Sequence, residues 1–329
     1  MRKWNALFTV LLLLFAGKCL HSFVEWAFVE AVWRPDSGAC RAAAGACWGF
    51  IADKYRFILF GTYPFEEHWR PAVSTLVLVA LWVLSGLRIF WKPGLAAIWA
   101  AGLLAIGVLM WGGVFGLPYV ENERWGGLIL TLLLFTFGVA LAFPLAIVLA
   151  LARRDGLPAL RALAVGYIEL IRGVPLISLL FMASVMLPLF LPAGMTIDKM
   201  LRAQVALVLF AAAYLAEVVR GGLQAIPREQ YEAADALGLT YWQRTRSVVL
   251  PQALRIAVPP LVGTFIGFFK STSLVVVIGL FDFLSTVKVS LNDPKWAGFG
   301  VEAYLFAAAV YFAFCYAMSL YARRLEQPR

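Results

Sequence analysis

Runs of about 20 apolar residues recur along this chain, and each is long enough to cross the ~30 Å hydrocarbon core of a bilayer as a helix. Eight are read, at 7–28, 71–90, 95–117, 127–152, 160–191, 203–219, 256–280 and 301–321. A helix satisfies its own backbone hydrogen bonds where no water can reach them. The expected fold is therefore all-α, a polytopic transmembrane helical bundle of about eight spans. Only 14% of the 329 residues are charged and 62% are hydrophobic, whereas a water-soluble domain carries about a quarter charged residues.

The net charge of +9 invites a nucleic-acid reading, but position decides its meaning. Let the N-terminus (Met1, Arg2, Lys3) be cytoplasmic and the sides alternate. Inside segments then hold 15 Lys/Arg, the span-edge residues Arg88 and Arg161 among them, and outside segments hold 10. Three lie within spans: Lys18, Arg172 and Lys270. This is the positive-inside bias, so the excess charge reads as topology and both termini are expected in the cytoplasm. The basic start and short apolar core before Lys18 also fit a cleaved signal peptide. No small-x-small site follows, so an uncleaved signal-anchor is expected; either delivers residues 34–70 to the outer face.

Cys19 and Cys315 fall in apolar helices and read as packing residues. Cys40 and Cys47 share the outside loop GACRAAAGACWG, where an oxidising compartment permits a disulfide; two separate thiols are the alternative. Without His neighbours the pair is a weak metal site, and neither metal nor cofactor is expected.

Two zones emerge. Residues 1–126 hold three spans, an aromatic and charged outside loop, and a short inside turn. Residues 127–329 hold five spans and nearly every polar constellation. No low-complexity linker divides them, so they are expected to pack together. Gly112-x3-Gly116 and Gly263-x3-Gly267 would offer small faces for close helix approach.

YIELIRG (167–173) and YLAEVVRG (214–221) echo each other, with Glu169/Arg172 and Glu217/Arg220 spaced to share one helix face. Each pair is expected to neutralise itself locally, since a lone charge at mid-membrane is costly. Two readings stay open: helix-end ion pairs beside the cytoplasmic headgroups, or charges lining a path for a zwitterionic solute. Pro175 makes a break in that span a possibility. In GTFIGFFKSTSL (263–274), Lys270 falls in an apolar run followed by Ser271, Thr272 and Ser273. A phosphate loop needs its Gly directly before the Lys; two Phe intervene, so the nucleotide reading fails. What remains is a buried cation beside three hydroxyls where the helix is expected to unwind, serving to anchor the helix end or to contact solute.

The stretch EAADALGLTYWQRTRSVVLP (232–251) is polar amid lipid-type segments. Pro227 suits a first helical turn, Gly238 a C-terminal stop, and Thr240 with Gln243 a capping box; Pro251 is expected to close the second helix. Two short helices joined at Gly238 result, ringed by Arg228, Arg244, Arg246 and Arg255. A DNA-reading helix-turn-helix needs an exposed recognition helix and a symmetric dimer. A loop tethered at both ends fits a docking element for a cytoplasmic partner better.

These residues carry a resemblance. Glu232-Ala233-Ala234, Gly238, Val248 and Leu250-Pro251 stand at the spacing of the EAA loop of ABC-importer permeases. The flanks YIELIRGVPLI, AEVVRGGLQAIPREQYEAA and KSTSL resemble the polar-amino-acid permeases of that superfamily. The outside loop and the C-terminal stretch look like its longer, general L-amino-acid type. The resemblance implies a five-helix ABC importer permease core over residues 127–329, behind a three-span extension with a periplasmic loop (1–126), in the bacterial inner membrane. It implies no catalytic residue here, ATP being hydrolysed by a cytoplasmic ABC ATPase dimer, and no nucleic-acid partner. The other partners implied are a second permease subunit, a periplasmic amino-acid-binding protein and membrane lipid. In such permeases the EAA helix enters a groove of the ATPase. Glu232 would touch the ATPase, Ala233 and Ala234 would allow close approach, and Gly238 would set the turn ahead of Leu250-Pro251. Of the readings left open above, the path-lining one makes Glu169, Arg172, Glu217, Arg220, Lys270 and Thr272 the candidate substrate-pathway residues. Val174 stands where many relatives have Thr, and Ser271 where many have an acid, which touches solute contacts and not coupling. An ion-coupled secondary amino acid transporter is the alternative, but it would show internal repeats and the ExxRG echo is too short to be one. A membrane-bound DNA-binding regulator would need a free cytoplasmic domain.

Overall fold

The computed structural model describes residues 2–154, 157–192 and 194–326; Met1 of the basic start and residues 327–329 of the second zone lie outside the described residues. Among the described residues seven helices are long and apolar enough to span a membrane, or eight where one bent helix pair is counted as a single span. Among the described residues the only β features are two isolated bridges, Val32 with Cys47 and Gly127 with Asp282.

Helix α1 (Arg2–Val24) leads through a π turn to a cap made of α2 (Ser37–Ala42) and α3 (Gly49–Phe60). Asp36 starts α2 by accepting the Gly38 and Ala39 amides. Cys40 and Cys47 are joined by a disulfide with their Cα atoms 5.3 Å apart. Helices α4 (Trp69–Gly86) and α5 (Gly94–Trp111) form a hairpin, and α4 leans on α6 (Gly127–Ala152). Helix α6 is apolar on every side, as a helix must be when protein or lipid surrounds it, and buries the whole run 129–134.

Helix α7 (Pro158–Gly173) and α8 (Leu176–Phe181) do not form one straight helix over 160–191; the break falls at Pro175. Pro175 has no amide hydrogen and forces Val174 into an extended conformation (φ −111°, ψ 133°). The two segments Pro158–Gly173 and Leu176–Phe190 meet at 102°. Helix α9 (Lys199–Gln224) makes the most extensive contact in the molecule, with α6. Its buried face is rich in alanine (Ala203, Ala206, Ala211, Ala212, Ala216), which lets the axes approach closely.

After α9 come two short helices, α10 (Arg228–Ala236) and α11 (Tyr241–Arg244), and then α12 (Leu250–Ser271). Pro251 does not close the second short helix, contrary to expectation. A π turn over Thr245–Val249 absorbs the donor that proline lacks, Pro251 sits in the first turn of α12, and helix runs on from Tyr241 to Ile278. Helix α12 packs on α9 and on α14 (Gly300–Glu326), with α13 (Phe283–Ser290) between α12 and α14 in sequence.

Both apolar clusters draw on both zones. The larger joins Leu78, Leu81, Ile106 and Met110 to α6, α9 and α12. The smaller joins Cys40, Cys47, Phe50 and Ile58 to Phe283, Val287, Trp296, Ala303 and Ala307. At the seam Gly127 has φ +68°, and a Cβ there would lie 2.2 Å from the Leu59 carbonyl oxygen, so only glycine fits. The expected small-residue faces fare differently. Gly112 ends α5 at φ +69° and Gly116 lies beyond it, so they share no helix face. Gly263 and Gly267 do share one on α12, and no described residue comes within 4 Å of a Cβ added at either.

Candidate functional site

The polar loop 225–250 is shaped by its own capping chemistry. Helix α10 stops where Gly238 turns left-handed (φ +71°); the Leu237 amide donates to Ala233 O at 3.2 Å and the Leu239 amide to Ala234 O at 3.2 Å. The chain restarts through the Thr240 capping box: its amide donates to Gln243 Oε1 at 2.9 Å, and its hydroxyl accepts the Gln243 amide at 3.4 Å. Across the bend, Arg244 Nη1 meets Asp235 Oδ2 at 2.6 Å. Arg154, just past α6, donates to Leu223 O at the end of α9 (3.0 Å) and to the Tyr231 hydroxyl on α10 (2.9 Å). The Arg154 and Arg244 guanidinium groups both lie over the Tyr231 ring, 5.5 and 5.7 Å from its centre.

One face of this bracket is free. Glu232 and Ala233 are exposed, Leu237 is 80% and Trp242 71% exposed, and Tyr241 stands beside Trp242. Ala234 points the other way and is 3% exposed, packed against its own chain. Ala233 alone of the two alanines is therefore available for close approach. Leu237, Tyr241 and Trp242 escaped the sequence reading; the available signal was a set of large apolar residues placed inside a charged loop too polar to be a span. Gly238 and Pro251 are exposed and Leu250 is half-buried.

The charged echoes do not pair as spacing suggested. Glu217 does accept from Arg220, three residues on, at 2.8 Å. Glu169, however, pairs with Arg153 at 3.1 Å, and Arg172 turns to Glu217 at 3.7 Å. Arg153 also reaches Glu217 at 2.6 Å, making that carboxylate the centre of three arginines. The reason is packing: α7 and α6 both lie against α9, so charges from neighbouring helices compete with the i+3 partner. Arg153 read as a cytoplasmic loop charge, and nothing in a single sequence tells which helix end it folds back on.

Lys270 is exposed in this chain and not buried as expected. The helix does not unwind behind it; it tightens into a 3-10 run over Thr272–Ile278. The hydroxyls are spent on the last turn of α12: Ser271 Oγ donates to Gly267 O, Thr272 Oγ1 to Phe269 O and Ser273 Oγ to Lys270 O, at 2.7–2.9 Å. Thr272 is fully buried, and α8 packs on the same run just after the Val174–Pro175 break. Among the described residues no contact joins Lys270 or Thr272 to the Glu217 cluster, and no group of three or more His, Cys, Asp or Glu is placed to hold a metal ion.

With this geometry in view, comparison with known proteins is direct. The family described as binding-protein-dependent transport system inner membrane component matches residues 142–328. The chain is 46% identical to the inner membrane amino-acid ABC transporter permease protein YhdY of Escherichia coli (strain K12), over 98% of this chain and 89% of that one. It is 38% identical to the glutamate/glutamine/aspartate/asparagine transport system permease protein BztC of Rhodobacter capsulatus, over 98% and 90%. A crystal structure of an amino acid ABC transporter with histidines is similar at 32% identity and TM-score 0.54, using 61% of this chain and 91% of the solved chain. The family match spans more than half of the sequence and the relatives nearly all of it, so the chain belongs to the inner-membrane components of binding-protein-dependent transport systems, as a permease subunit of an ABC importer.

Proposed function

We propose that this chain is one of two permease subunits of an ATP-driven amino acid importer in a bacterial inner membrane. Residues 127–329 form its five-span translocating core, and residues 1–126 a three-span extension with a periplasmic loop. Both termini face the cytoplasm. A periplasmic binding protein delivers the amino acid, and a cytoplasmic ABC ATPase dimer drives the cycle through the loop 225–250. The observation that carries this reading is the bracket of α10 and α11: a bend at Gly238, tied to the ends of α6 and α9 through Arg154, whose free face offers Glu232, Ala233, Leu237 and Trp242. A face of large apolar residues rimmed by charge is the composition of a protein interface.

The Glu217 cluster sits at the same end of the bundle, about seven residues or ~10 Å up α9 from its last turn. It clamps α6, α7 and α9 together where the bracket is attached, which supports a load-transmitting role at least as well as solute contact. The solute pathway is better supported by the Val174–Pro175 break and the 3-10 run beside it, where carbonyls leave regular helix pairing. Amino acids as cargo are supported by the named relatives. The test is reconstitution with the cognate ATPase and binding protein in proteoliposomes. ATP-dependent uptake of an amino acid, with cross-links from positions 233 and 237 to the ATPase, is expected. Uptake driven by an ion gradient without ATP would refute the proposal.

A further inference from the structure

Helix α12 ends on a phenylalanine gripped by its neighbours. Phe269, the residue before Lys270, is 1% exposed. Its ring meets Phe135 of α6 at 5.2 Å, and Tyr311 and Phe314 of α14 at 5.4 and 5.7 Å. Its carbonyl accepts the Thr272 hydroxyl at 2.7 Å, where α-helix gives way to the 3-10 run. One residue is thus tied at both ends, by its ring to the bundle and by its carbonyl to that run. Helix α6 makes room for this fit: a Cβ at Gly138 would lie 2.6 Å from the Phe268 ring.

Residues 1–126 close the cage. Trp82 of α4 meets Phe135 edge-on at 5.5 Å and Phe314 edge-on at 6.1 Å. Its indole donates to Thr136 Oγ1 at 3.2 Å, and the Thr136 hydroxyl donates to Leu132 O at 2.7 Å. That bond fixes the height of the indole along α6, which ring packing by itself would leave free to slide. The other side of α12 is open: a Cβ added at Gly263 or Gly267 meets nothing within 4 Å, and Lys270 is exposed. Among the described residues, the aromatic side therefore decides where residues 267–270 stand. A close-packed interior answers the loss of one ring by shifting the others.

We infer that Trp82 is a positioning residue for transport: through Phe135 and Phe314 it holds Phe269, and so sets where Lys270 and the 3-10 run stand toward the solute. The inference rests on the reading above, which places the solute beside that run. It gives residues 1–126 a part in turnover, besides the stability of their seam with the rest of the chain.

The test uses the whole transporter, with its ATPase and binding protein, in proteoliposomes, counting uptake and ATP hydrolysis per folded transporter. Trp82→Leu is expected to lower uptake about fivefold, the weight of one aromatic pair, with ATP hydrolysis little changed; a merely structural residue would lower both together. Trp82→Phe keeps a ring against Phe135 and Phe314 and is expected to recover most of the uptake. Phe269→Leu is expected to give a similar loss, and the double variant no more than the larger single loss, because both act on one position. Leu78→Ala is the control, fully buried one turn earlier on α4 and outside the set of rings. It is expected to lower the yield of folded protein and leave uptake per transporter unchanged. Equal loss of uptake in Leu78→Ala, multiplied losses in the double variant, or unchanged uptake in Trp82→Leu would overturn the inference. A para-fluorophenylalanine in place of Phe269 decides it apart from transport. Its fluorine resonance is expected to split or broaden in Trp82→Leu and to keep its form in Leu78→Ala; a resonance unmoved by Trp82→Leu would also overturn the inference. A wild-type complex that takes up no amino acid with ATP would sink the permease reading and leave the fluorine result to decide this one.

Discussion

Gly238 bends the bracket with φ +71° and has open space around the position of an added Cβ. Any penalty for a side chain there is conformational and not steric, of order 1–2 kcal/mol. Gly238→Val, β-branched and averse to that region, is expected to abolish solute-driven uptake while leaving much of the ATPase activity of the complex. Gly238→Asn, which tolerates the left-handed region, is expected to retain uptake; equal loss in both variants would assign the position a contact role instead. Asp282 is a second residue with a clear signature. It is fully buried outside the spans and caps α13 by accepting the Leu284 and Ser285 amides. Burial pushes its carboxyl up to about 6. The folded state thus holds that proton to higher pH than the unfolded chain, which releases it near 4. Stability on this account falls as pH rises from about 4 to about 6 and stays lower above, by on the order of 2–3 kcal/mol. Asp282→Asn keeps one cap acceptor and removes the titration. Thermal unfolding in detergent is expected to show a higher midpoint than wild type at pH 7 and little difference at pH 4; a lower midpoint at pH 7 would contradict this.

At the scale of elements, adjacent arginines divide the labour of one helix end. Arg153 turns inward to Glu169 and Glu217, and Arg154 outward to Tyr231 and the Leu223 carbonyl. Arg154 and Tyr231 thus tie α10 to the ends of α6 and α9. Tyr231→Phe removes the hydroxyl that accepts from Arg154 but keeps the ring beneath both guanidinium groups. It is expected to raise the ATP hydrolysed per solute imported several-fold with little change in expression, whereas Arg154→Leu is expected to raise it further. An unchanged ratio in both would show that the attachment carries no load. The elements themselves were legible in the sequence where one local rule decides them: the apolar runs, the capping box at Thr240, the stop at Gly238. What sequence did not reveal was settled between elements. Pro251 reads as a terminator until a π turn takes up its missing donor, Glu169 reads as Arg172's partner until α6 delivers Arg153, and Lys270 reads as buried until α12 is seen to point it outward.

At the scale of the whole molecule, residues 1–126 are locked to the rest of the chain by a ring of specific bonds. Lys54 Nζ reaches Asp293 at 2.6 Å, the Trp296 indole donates to Asp53 at 2.8 Å, Thr286 donates to Ile58 O at 2.7 Å, and Glu302 accepts the Cys47 amide at 2.9 Å. The solved relative matches 61% of this chain with 91% of its own, so more than a third of this chain has no counterpart there. Residues of the stretch 1–126 take part in both apolar clusters. Such an addition stabilises the whole only if the seam is tight. Trp296 is the test position, because it is fully buried, meets Phe50 edge-on at 5.9 Å and closes over the disulfide cluster. Trp296→Ala removes that packing and leaves Asp53 without its indole donor, at a cost of about 3–5 kcal/mol. The disulfide reports the result. Denatured without reductant, the wild-type protein is expected to show two alkylatable thiols, Cys19 and Cys315. In the folded protein Cys40 and Cys47 are 3% and 0% exposed, so mild reductant is expected to leave their bond intact. In Trp296→Ala the cap is expected to open and the bond to reduce many-fold faster, with uptake falling in parallel because α13 and α14 lose the same support. Four thiols in the unreduced wild type, or equal reduction rates in the two proteins, would show that the extension is only appended to the core.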